Sequence, residues 1–307
     1  RRYGVLAGSL NRRTAEPSNC RAITSQPMTI RVRATVSVLI GATLLGSMGA
    51  WGRAVYRFEG DPMVVVTWRA LIGVAVLAGV LAATRPELLR VPLPAVPFFL
   101  AYGFFGVTVN FWAYFSAVKY TTLAVAITLL YTYPLFVTLF SALFLGERLT
   151  STKLAAAALT VLGSALVAQI HAAEFLRLNL RGILFGLLTG LSMAVYSILG
   201  KRAVARHAPW TVVLYAFAGG ALFLTLGSGR GLSAARGYPV EAWLWIVGLA
   251  LIPSLGGYAL FTLGLRDLPA SQVSVIATWE VVTAAFLGWS LRSEEHTSEL
   301  QSPECIS

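Results

Sequence analysis

Charge is scarce in this sequence. Charged residues supply 12% of its 307 positions, about half of what an ordinary soluble domain carries, while hydrophobic residues reach 57% and aromatics 11%. No soluble core hides that much apolar surface, so a water-soluble globular domain is excluded. Cysteine is scarcer still. Cys20 and Cys305 both lie outside the apolar stretches, which excludes a disulfide framework and a thiolate metal site. Histidine is limited to three residues, of which His171 and His207 fall near loop ends. Neither HExxH nor GxSxG occurs, and there is no phosphate-binding loop. An intramembrane enzyme would need a nucleophile and base or a metal centre, and nothing supplies one. We therefore expect no enzymatic activity and no cofactor.

What is present is a succession of apolar stretches of roughly 18 to 23 residues, the length a helix needs to cross about 30 Å of hydrocarbon. They fall near 34–56, 62–83, 95–117, 121–145, 154–170, 182–200, 209–227, 242–263 and 271–291. Lipid cannot satisfy exposed backbone groups, and the stretches lack the alternation of barrel strands, so each is expected to be a helix. The chain is thus an all-α polytopic membrane protein with short connections. Its formal charge of +11 is spread over loop ends rather than gathered on one face, so no nucleic-acid partner is expected. With a cytoplasmic amino terminus, the inner loops carry Arg31, Arg33, Arg85, Arg90, Arg148, Lys153, Lys201, Arg202, Arg206 and Arg266, against Arg57, Lys119, Arg177, Arg181, Arg230 and Arg236 outside, a modest excess. That is the sign of bias that fixes topology.

The two ends differ from the rest. Residues 292–307 read RSEEHTSELQSPECIS, the translation of a common sequencing adapter, and are excluded from fold reasoning as an artefactual tail. Residues 1–27 are rich in Arg and Ser with the single acid Glu16, and Met28 opens MTIRVRATVSVLIG. Upstream read-through is preferred to a transit peptide, so 1–33 is set apart as a leader.

The chain resembles itself. AVKYTTLAVAITLLYTYPLF from Ala117 aligns with GLRDLPASQVSVIATWEVVT from Gly264, 147 positions on, and Pro62 meets Pro209 at the same offset. With a two-residue slip, GSMGAW ending at Trp51 faces GLSMAVY ending at Tyr196. This divides the chain into a first unit over 34–172 and a second over 181–291. Five spans precede residue 181, and an odd number inserts the second unit upside down relative to the first. Inverted repeats are a common construction of secondary transporters, with the site at the repeat interface. A second unit of five calls for a tenth helix beyond the ninth visible one.

On these residues the chain resembles the EamA-type branch of the drug/metabolite transporter superfamily. The marks are Trp51–Gly52 in the first span, Arg69 in the second, and PLFVTLFSALFLGERLT from Pro134 to Thr150. The resemblance implies ten helices in two inverted five-helix repeats and export or exchange of small metabolites, amino acids among them, across a bacterial inner (plasma) membrane. One departure is that Glu280 is followed by Val281, where the family has proline. No proline kink is expected there.

Ionisable groups inside spans are costly and mark candidate sites: Arg53, Arg69 and Glu280. Glu280, near the middle of the last span, is either a proton carrier or contact for a substrate amine, or the structural partner of an arginine. Arg69 is read first as structural. Arg53 either offers its fork of donors to a substrate carboxylate or snorkels to the interface. Trp51, Asn110, Tyr114, Tyr131, Tyr196 and Tyr258 are the aromatic and amide candidates for the pathway, against ordinary helix packing. Glu147 is read as ending the fourth span, with Thr150 or Ser151 capping the fifth, in preference to an ion pair with Lys153. The pairs Gly219–Gly220 and Gly256–Gly257 are read as close helix contacts.

The expected partners are a small-molecule substrate, the lipid bilayer and protons as a coupling ion; oligomeric state is open. A non-transporting scaffold is the alternative. A polar centre holding Glu280, Asn110 and Tyr196 favours transport, and a dry, packed centre counts against it.

Overall fold

The computed structural model describes residues 28–58, 61–167 and 179–300, with the side chains of 230, 234 and 291–300 excepted. Residues 1–27, 59–60, 168–178 and 301–307 lie outside that range, and with them most of the segment expected to be a leader, the end of the first unit at 168–172 and the end of the segment expected to be a tail. Nine helices are seen among the described residues: α1 (Met28–Tyr56), α2 (Pro62–Thr84), α3 (Leu93–Tyr120), α4 (Leu123–Leu145), α5 (Ser151–Val167), α6 (Leu180–Val204), α7 (Pro209–Ser228), α8 (Val240–Asp267) and α9 (Ala270–Ser290). Eight are long and apolar enough to cross a membrane, and α5 is shorter. The backbone of α9 stays helical to Leu300.

The ends of these helices follow local chemistry. Asp61 opens α2 by accepting from the backbone N–H groups of Met63 and Val64 at 2.7 and 3.3 Å, with Pro62 in the first turn. Thr122 caps α4 and Asn179 caps α6 in the same way. Gly146 ends α4 with φ of 68°, and the next N–H, that of Glu147, donates to the Ser141 carbonyl at 3.1 Å. Only a residue without Cβ takes that conformation cheaply.

The sequence predicts uninterrupted spans, and five are interrupted. α1 breaks at Ser47, α4 at Tyr131–Thr132 and α9 at Thr278. At each break a hydroxyl turns back onto the carbonyl three residues earlier, Ser47 to Leu44, Thr132 to Leu129 and Thr278 to Val275, each at 2.6 Å. Such bonds compete with the helical ladder. α3 carries a π-helical bulge at Phe104–Thr108 and α8 one at Ala250–Gly256. Here Thr108 and Ser254 each bond the carbonyl five residues back, and in α8 Pro253 removes a donor outright. Shifted by 147 positions, the first bulge falls on 251–255, inside the second.

Packing repeats the same relation. The most extensive contacts are α3 with α6 and α1 with α8, followed by α4 with α6, α3 with α7 and α1 with α9, and α2 also packs on α7. Exchanging the two units (α1 for α6, α2 for α7, α3 for α8) turns the first pair into the second and leaves α2–α7 unchanged. The helices are therefore arranged about a pseudo-twofold axis. Glycines let them approach: a Cβ at Gly219 would lie 2.8 Å from the Phe99 carbonyl oxygen, and one at Gly257 2.7 Å from Leu45. Both glycine pairs are contact points, as the sequence suggests.

Candidate functional site

The breaks of α1, α4 and α9 come together around Glu280. Tyr131, at the α4 break, has its hydroxyl within hydrogen-bonding reach of the Glu280 carboxylate. Gly46, next to the α1 break, lies so close to the Glu280 backbone that an added Cβ would be 2.5 Å from its carbonyl oxygen. Glu280 itself stands in the first turn of the half-helix that begins at Trp279. A helix amino terminus favours negative charge, so the break that interrupts α9 also makes its carboxylate tolerable. Tyr133 and Tyr258 are its other electrostatic neighbours, and the Tyr133 hydroxyl donates to the Ser274 carbonyl at 3.0 Å, tying α4 to α9.

Arg69 is accommodated differently. It is 3% exposed. Nη1 meets the Met48 sulfur at 3.0 Å, the guanidinium carbon sits 4.5 Å above the Phe111 ring, and Nε is buried without a hydrogen-bond partner. Tyr56 and Tyr258 are its electrostatic neighbours. No carboxylate pairs with it among the described residues. A charged side chain at the centre of a membrane helix costs about 3 kcal/mol on insertion scales, and a desolvated cation–π contact returns about 2 kcal/mol. The arginine pairing considered for Glu280 is not formed, yet both groups flank Tyr258.

The remaining candidates divide. Tyr258 packs against Tyr196 at 5.3 Å and Tyr196 against Tyr102 at 4.9 Å, the last two fully buried with their hydroxyls close to each other. Tyr114 is half-buried and an electrostatic neighbour of Tyr131. Asn110 is committed elsewhere, donating to the Thr189 carbonyl of α6 at 3.1 Å. Trp51 packs edge-on against Trp245, 5.5 Å away, and over Gly248. Arg53 is exposed and lies beside Gly288, far along α9 from Glu280. The sequence did not single out Met48, Phe111 or Tyr102. Phe111 was open to discovery, since it is the mate of Tyr258 at the 147-residue offset.

Glu147 requires a correction. It pairs with Lys153 at 3.0 Å, and it also accepts from the Ala270 N–H at 2.7 Å and from the Ser271 hydroxyl, so it caps α9. Thr150 does accept from the Lys153 N–H at the start of α5. Nearby, Lys201 donates to the Leu265 and Leu268 carbonyls at 2.6 and 2.8 Å, and Arg202 to the Phe144 carbonyl at 3.0 Å. The clamp holds because α4, α8 and α9 end or begin together, a fact invisible in linear order.

Two ionisable groups at the meeting of broken, pseudo-symmetric helices fit a transport pathway, and comparison with known proteins bears on which kind. The description "EamA-like transporter family" matches residues 33–169 and 180–299. The chain belongs to this family. An uncharacterized transporter of Archaeoglobus fulgidus is 29% identical over 258 residues, covering 82% of this chain and 85% of that protein. A probable terminal-alkyne amino-acid exporter of Streptantibioticus cattleyicolor is 28% identical, covering 71% and 73%. One solved crystal structure superposes with a TM-score of 0.69 at 23% identity, covering 83% of this chain and 86% of that one, a likeness of fold. As an EamA-family member, the chain is a multi-pass membrane transporter.

Proposed function

We propose that this chain is a secondary transporter of the bacterial inner membrane that moves small amphipathic metabolites, amino acids or compounds like them, outward by alternating access. The observation that carries this reading is the convergence of three helix breaks from both units on one carboxylate, Glu280, which shares the neighbour Tyr258 with Arg69. Broken helices present unsatisfied backbone groups and half-helix termini at membrane depth, where they bind charged solutes. The interchange of α1–α8 with α3–α6 provides two related packings that a rocking motion can exchange. The amino-acid exporter among the relatives supports the substrate class. Glu280 is read as the group that carries a coupling proton or meets a substrate amine. In the role of Tyr258, flanked by both ionisable groups, the pathway has an aromatic wall between its two poles.

The test is reconstitution into proteoliposomes and uptake or counterflow of a labelled panel of amino acids and related metabolites, with and without an imposed proton gradient. Saturable movement of a panel member is expected. Protein-dependent movement of none of them, in either mode, counts against transport and favours the scaffold reading.

A further inference from the structure

We infer that Arg69 is the anion pole of the pathway: its guanidinium binds the carboxylate of the transported compound. The inference rests on the transport reading above and names the chemistry of the substrate at one end.

The geometry leaves this side chain unfinished. Arg69 is buried in α2, its Nε has no partner, and its remaining contacts are a thioether and an aromatic face. None of these is an anion. One turn further along α2, a Cβ at the buried Gly73 would meet nothing within 4 Å. Packing of the repeat does not require it, because the position 147 residues on is Ala216, buried in α7 at the same crossing. A planar fork of buried donors with no resident acid suits a bidentate carboxylate. The other arginine considered for this contact, Arg53, is exposed and stands away from Glu280.

The experiment uses the whole chain in proteoliposomes preloaded for counterflow with labelled L-leucine, L-phenylalanine and L-methionine. Each free amino acid is compared with its carboxamide as competitor. Wild type is expected to prefer the carboxylate over the amide by roughly 10- to 100-fold, the range of a charge-assisted hydrogen bond. Arg69→Lys should keep part of that preference, and Arg69→Met should lower the acids to the level of the amides. Equal competition by acid and amide in wild type, a comparison that needs no variant to fold, overturns the inference. So does an undiminished preference in Arg69→Met. Wild type that moves the cation ethidium but none of the three amino acids overturns it too, while leaving transport standing. Movement of nothing removes the transport reading and this inference with it.

Discussion

Arg69 and Glu280 share Tyr258 as a neighbour without pairing, and their surroundings differ. Glu280 has the Tyr131 hydroxyl within hydrogen-bonding reach and stands in the first turn of a half-helix, so its carboxylate is supported without an arginine. Replacing it by Gln keeps an acceptor for Tyr131 and removes the titratable group. We expect Glu280→Gln to fold as wild type does, to lose accumulation driven by a proton gradient, and to retain counterflow, in which no net proton movement is needed. Equal loss of both activities together with a lowered thermal unfolding temperature would instead mark Glu280 as a structural group. Tyr133 stands at the equivalent position of the first unit, 147 residues earlier, and binds a backbone carbonyl of α9. A carboxylate therefore stands at only one of the two symmetric positions.

Among the helices, the breaks and the clamp have opposite effects. A break frees backbone groups and lets the two halves of a helix tilt independently, whereas Glu147 and Lys201 fix the junction of α8 and α9 from α4 and α6. Glu147 is nearly buried, with 9% of its side chain exposed, and its partner Lys153 is 24% exposed. Glu147→Ala removes a helix cap and leaves the lysine unpaired, a loss of about 2 kcal/mol. Glu147→Gln keeps the acceptor for the Ala270 N–H and should cost about half as much. Thermal unfolding in detergent checks the order wild type, Gln, Ala. If Ala and wild type unfold at the same temperature, the clamp contributes nothing to stability.

For the whole molecule, the clamp gathers Lys153, Lys201 and Arg202 at one end of the bundle, the end the loop charges assign to the cytoplasm. In a background with Cys20 and Cys305 replaced by Ser, single cysteines at exposed loop positions report the orientation. Arg236→Cys, between α7 and α8, is expected to react with a membrane-impermeant thiol reagent added to intact cells, and Arg206→Cys, between α6 and α7, only after lysis. The reverse pattern would invert the topology and place the clamp outside. Orientation matters to the proposed export, which requires the clamped end to open and admit a solute from the cytoplasm.

The number, order and approximate limits of the helices, the 147-residue offset and the short set of membrane-embedded charges were all legible in the amino-acid order. Hydropathy accumulates residue by residue, and lipid leaves the backbone no choice but helix. The Thr278 break and the α3 bulge were not legible, although Pro253 was a signal for the bulge in α8. A hydroxyl bonded to the carbonyl three residues back also occurs at Ser141 and Ser274 inside intact helices. Whether such a bond opens the ladder depends on what presses on that turn from outside. The partners of Arg69, Glu280 and Glu147 were decided in the same way, by how each helix is rotated about its own axis against neighbours more than a hundred positions away. Periodicity can place a residue on a face, but only tertiary packing determines what that face meets.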